Sequence, residues 1–96
     1  MTISQLYELI QSRISNPVTG SRTNHFLSQG LDRIAQKVGE EAVEVVIASK
    51  NEDQTKLVTE LSDLMYRLVI LMAYKGVSWD DIEHEIDARH SASNIS

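Results

Sequence analysis

Between Val38 and Ala48 the chain reads VGEEAVEVVIA, so Glu40, Glu41 and Glu44 stand in a run otherwise made of Val, Ala, Ile and Gly. A second acidic pair follows in ELSD, where Glu60 and Asp63 are again three residues apart. Carboxylates gathered in a low-dielectric place repel one another unless they are protonated, met by basic groups or bridged by divalent cations. An all-oxygen donor set suits the hard cations Mg²⁺ and Mn²⁺. Mg²⁺ held by carboxylates with positions left open is suited to phosphoryl chemistry.

Those carboxylates need elements to hold them, and the apolar spacing supplies two helices. At ~100° per residue, Leu31, Ala35, Val38, Ala42, Val45, Val46 and Ser49 form the expected core face of a helix over 31–50. Val43 and Ile47 fall on its far side, so its second half is apolar nearly all round, which predicts burial on more than one face. The exception is the strip of Glu40, Glu41 and Glu44, with Glu41 and Glu44 as neighbours. A helix over 54–75 repeats the pattern, with a strip of Glu60, Asp63 and Arg67. The short NEDQ connector makes the two antiparallel neighbours. One acidic pair alone is the ordinary mark of a solvated face, and Asp63 with Arg67 also has the spacing of an ion pair. The repetition on consecutive apolar helices carries the metal reading. Gly39 in mid-helix costs ~1 kcal/mol relative to Ala, which points to a close approach there.

The rest of the chain reads as all-α, four to five helices in one domain over residues 1–90. Thr2 with Gln5 forms a capping box for a helix over 3–15. NPVTGSRTN breaks the chain, and a short helical turn near 24–29 follows. Gly76 stops the helix over 54–75, and Ser78 with Asp81 caps a last helix running to His90. Residues 91–96 have nothing to hold them and are expected to be disordered. The net charge of −5 with 24% charged residues argues against nucleic acid or an anionic membrane as partner. With no cysteine, thiolate sites and cysteine nucleophiles are excluded. No signal peptide or bilayer-spanning stretch is read, and a cytoplasmic location is expected. His25, His84 and His90 show no metal-ligand spacing, and Trp79 reads as a packing residue.

The blocks GLDRIAQKVGEEAVEVVIASKN and ELSDLMYRLVILMAYKGVSWDDIEHEI closely resemble the phosphoribosyl-ATP pyrophosphatase family of histidine biosynthesis, one of the all-α, MazG-like nucleotide pyrophosphatases. That group's signature is EExxE on one helix and ExxD on the next, matched here by Glu40, Glu41, Glu44 and by Glu60, Asp63. The resemblance implies hydrolysis of phosphoribosyl-ATP to phosphoribosyl-AMP and pyrophosphate. It also implies Mg²⁺ (with Mn²⁺ as substitute) on Glu41, Glu44, Glu60 and Asp63, and a homodimer whose intertwined helices complete the bundle. Water, activated by metal or by Glu40 or Glu41, attacks the α-phosphorus. Lys37 is read either as a phosphate contact or as a partner of Glu41. Ser21, Arg22 and Thr23 are candidates to close on the phosphates. The chain departs from the family at His25, where Lys is usual, and at Arg67, which follows Tyr66 where His is usual; Arg67 holds either an acid or a phosphate. The alternatives are a general (d)NTP pyrophosphatase of the same group and a non-enzymatic helical dimerisation module.

Overall fold

In the computed structural model, which describes residues 1–96, five helices and no strand are present: α1 (Ile3–Ser15), α2 (Arg22–Leu27), α3 (Leu31–Ser49), α4 (Gln54–Lys75) and α5 (Trp79–Ser91). The short polar side chains set the helix starts. Thr2 accepts from the Gln5 N–H at 3.1 Å while Gln5 accepts from the Thr2 N–H at 2.7 Å. The same reciprocal pair recurs at Ser78 and Asp81, at 3.1 and 2.9 Å. Ser21 caps α2 through the Asn24 N–H. α2 therefore begins two residues before the expected turn at 24–29. Asp53 caps α4. Gly76, at φ +72°, ends α4 in the left-handed conformation, where a side chain would be strained.

α3 and α4 form an antiparallel hairpin and α1 lies across α4, while α2 bridges the three. The core is Tyr7 and Ile10 of α1, Ile34 of α3, and Val69 and Ile70 of α4, with Phe26, Leu27, Tyr66 and Trp79 packed around it. Tyr7 donates from its hydroxyl to the Val77 carbonyl at 2.7 Å, tying α1 to the turn before α5.

The expected core face of α3 needs correction. Leu31, Ala35, Val46 and Ser49 are exposed, whereas Ile34 and Ala48 are buried and Val38, Ala42 and Val45 half-buried. Residues 34, 41, 45 and 48 fall within about 60° of one another on the helix, so the strip facing α4 carries Glu41 in its middle. A helix apolar on several sides leaves the choice of covered face to its neighbours. The far sides stay open: Val43, Val46 and Ile47 of α3 and Val58 and Leu61 of α4 are all exposed. Only 7 of 96 residues are buried. The radius of gyration is 15.1 Å, against about 12.5 Å expected for a compact domain of this length. No helix is long and apolar enough to cross a membrane. Beyond α5, Ser93 takes a left-handed turn and the Asn94 N–H returns to the Arg89 carbonyl.

Candidate active site

The hairpin of α3 and α4 brings three of the expected carboxylates together. Glu41, Glu60 and Asp63 each present an oxygen, and the three oxygens lie within 4.8 Å of one another. Glu41 is half-buried, Glu60 is buried and Asp63 is exposed, so the group runs from the interior to the surface. All three donors are carboxylate oxygens, the set a hard divalent cation accepts. The acidic strips of the two antiparallel helices face each other here, and three carboxylates meet rather than the four or five that full convergence of the strips would bring.

Glu44 and Glu40 stand outside that group. Glu44 is exposed. Glu40 turns along its own helix, accepting from the Gln36 amide at 2.8 Å and pairing with Lys37 at 3.1 Å and Arg33 at 3.7 Å. The hydrogen bond from Lys37, then that from Gln36, holds the Glu40 carboxyl below its ordinary value. Lys37 also lies 3.8 Å from Glu41, so it bridges the two adjacent glutamates.

Lys56 is the cation that sequence reasoning missed. Its ammonium sits 3.0 Å from Glu60. The hydrogen bond and charge of Glu60, with further contributions from Glu44 and Asp63, raise its pKa. Three carboxylates with the ammonium groups of Lys56 and Lys37 beside them leave a formal charge of −1, so the group remains net acidic. The i, i+4 spacing of Lys56 and Glu60 was the available signal, but on an exposed first turn it looks like any solvated pair.

Asp63 also opens onto a cleft of about 980 Å³, lined by Gly20, Ser21, Arg22, Asn24, His25 and Phe26 on one side and by Asp63, Tyr66 and Arg67 on the other. This cleft lies between α4 and the loop leading into α2. Asn24 locks that loop: its side chain accepts from the Val18 N–H at 2.8 Å and donates to the Arg13 carbonyl at 2.7 Å. Thr23 and Tyr66 share a hydroxyl–hydroxyl hydrogen bond of 2.6 Å, joining α2 to α4. Neither Asn24 nor Tyr66 could be singled out from spacing, because their partners are distant in the chain. Ser21 is spent as the α2 cap, and the His25 ring is 3.1 Å from the Gln29 amide. Arg67 forms no ion pair with Asp63; its guanidinium lies 4.1 Å above the Phe26 ring centroid.

Residues 3–90 match the family described as phosphoribosyl-ATP pyrophosphohydrolase. Among curated proteins, the chain is 42% identical over 88 residues to the phosphoribosyl-ATP pyrophosphatase of Clostridium acetobutylicum, covering 92% of this chain and 80% of that one. It is 47% identical over 88 residues to that of Leuconostoc mesenteroides, covering 92% and 76%. It is also 48% identical over 88 residues to the histidine biosynthesis bifunctional protein HisIE of Caldanaerobacter subterraneus, where the match covers 92% of this chain. There the chain spans only 43% of the relative's length.

Proposed function

Since the chain belongs to the phosphoribosyl-ATP pyrophosphohydrolase family, we propose that it hydrolyses phosphoribosyl-ATP to phosphoribosyl-AMP and pyrophosphate, a step of histidine biosynthesis. The observation that carries this reading is the meeting of Glu41, Glu60 and Asp63 within 4.8 Å at the edge of the α2–α4 cleft. A buried carboxylate crowded by two others is unfavourable in a helix made only for packing, and it is what binding a divalent cation requires.

Glu41, Glu60 and Asp63 would hold Mg²⁺, or Mn²⁺ in its place, with Glu44 available nearby. When bound, the ion offsets charge on the phosphate oxygens and polarises the phosphorus for attack. The side chains do the rest. Lys56 holds the buried Glu60 carboxylate in its charged form at 3.0 Å, where it would be a ligand. Glu41 receives the proton of the attacking water, which displaces pyrophosphate from the α-phosphorus. Glu40 is engaged by Lys37 and Gln36, which lower its pKa and so its proton affinity. Its role is to keep Lys37 beside Glu41. Arg22 lines the cleft as a further phosphate contact, and the Thr23–Tyr66 bond holds α2 in place over it.

We also propose that the chain acts as a homodimer. A radius of gyration above that of a compact domain and the open apolar sides of α3 and α4 support it.

The test is pyrophosphate release from phosphoribosyl-ATP with Mg²⁺ and with chelator, beside Glu41→Gln and ordinary dNTPs. Metal-dependent release that the variant loses supports the proposal. Faster release from dNTPs assigns the chain to general nucleotide pyrophosphatases. No release from any substrate by the folded protein overturns the enzymatic reading.

A further inference from the structure

The substrate proposed above has two anionic ends, the triphosphate and the monophosphate on the second ribose, and the acidic group accounts only for the first. The basic side chains near the site divide accordingly. Lys37, Lys56 and Arg33 are each paired with a glutamate, and none of the three lines the cleft. Arg22 and Arg67 do line it, and neither has a carboxylate within 4 Å.

These two arginines differ in how firmly they are held. Arg22 is exposed on the first turn of α2. Arg67 is half-buried on α4, with its guanidinium 4.1 Å from the Phe26 ring centroid and 5.4 Å from that of Tyr66. Stacking on an aromatic face fixes the guanidinium plane and leaves its N–H edge free for a phosphate, the geometry for which arginine is suited. Arg67 also follows Asp63 by one helical turn, ~6 Å of rise, so one extended ligand can touch both.

We infer that Arg67, held against the Phe26 ring, binds the monophosphate of the second ribose and so selects phosphoribosyl-ATP over nucleotides that lack it. This rests on the proposed function and names the specificity determinant within it. A monophosphate ester carries close to two negative charges at neutral pH. A guanidinium with no carboxylate within 4 Å has no ion pair to break.

The experiment compares phosphoribosyl-ATP with its dephosphorylated counterpart, ribosyl-ATP, which keeps the triphosphate. The unaltered protein prefers the phosphorylated substrate. Arg67→Gln lowers kcat/KM for phosphoribosyl-ATP roughly 10- to 100-fold, the range of a lost hydrogen bond to a charged group, and leaves ribosyl-ATP within about threefold. Arg67→Lys, which keeps the charge without the planar fork, recovers part of the loss. Equal loss on both substrates overturns the inference, because Arg67 then serves the triphosphate or only the packing of α2. Equal use of the two substrates by the unaltered protein overturns it without any variant. Turnover of neither substrate strikes the proposed function instead.

Discussion

Replacing Glu60 by glutamine removes one negative charge from a place where three carboxylate oxygens lie within 4.8 Å. At that distance each like-charge pair repels by about 0.9 kcal/mol at the dielectric of water and by ~3.5 kcal/mol at an effective value of 20. Asp63 is exposed, so the water-like figure suits its pair with Glu60; two such pairs give a floor of ~1.7 kcal/mol. Against this stands the pairing of buried Glu60 with exposed Lys56, an i, i+4 contact of about 0.3–0.5 kcal/mol. Without metal, Glu60→Gln should therefore be more stable than the parent by ~1 kcal/mol, which in a chain of 96 residues raises Tm by about 4–8 °C. With saturating Mg²⁺ the order reverses. At a concentration 100 times Kd, binding stabilises the parent by about 2.7 kcal/mol, and the variant, lacking its innermost ligand, forgoes most of it. Thermal melts in chelator and in Mg²⁺ measure both arms. A variant melting below the parent in chelator would refute the repulsion argument. An undiminished Mg²⁺ response in the variant would refute the site.

Three further outcomes follow from particular contacts. Tyr66→Phe removes the 2.6 Å bond to Thr23 and should cost ~1 kcal/mol; it raises KM more than it lowers kcat, and a cycle with Thr23→Val should show coupling, with additive losses counting against a shared role. Asp81 has its pKa lowered by the backbone N–H and then the hydroxyl of Ser78. A depressed folded value means the stabilisation is full above the unfolded value of 3.8 and is lost as pH falls through the folded one. The start of α5 should therefore fray in acid, seen in Trp79 fluorescence, and Asp81→Asn should remove that dependence. Ile47→Glu places a charge on the exposed apolar side of α3 and should yield a monomer by sedimentation with a concentration-independent Tm; an unchanged species would place the interface elsewhere.

Much of this protein was decided locally and could be read from the chain. Thr2 with Gln5, Ser78 with Asp81 and Gly76 act through hydrogen bonds and backbone angles within a few residues, so the ends of α1, α4 and α5 are legible. The acidic spacings are of the same kind: Glu60 and Asp63, one turn apart, must share a face of α4, and Glu41 must meet them once the connector turns α3 back. Tertiary structure decided what spacing leaves open. On α3, which is apolar on several sides, contact with α4 selected the strip of Ile34, Glu41 and Ala48, and left Val46 outside. Neighbouring groups drew Glu40 away along its own helix, and Lys56 came to stand beside Glu60. Arg67 lies on Phe26 and Tyr66 bonds Thr23 across 43 residues of chain. Helical periodicity states which side chains share a face, but only the packing of one helix on another sets what that face meets.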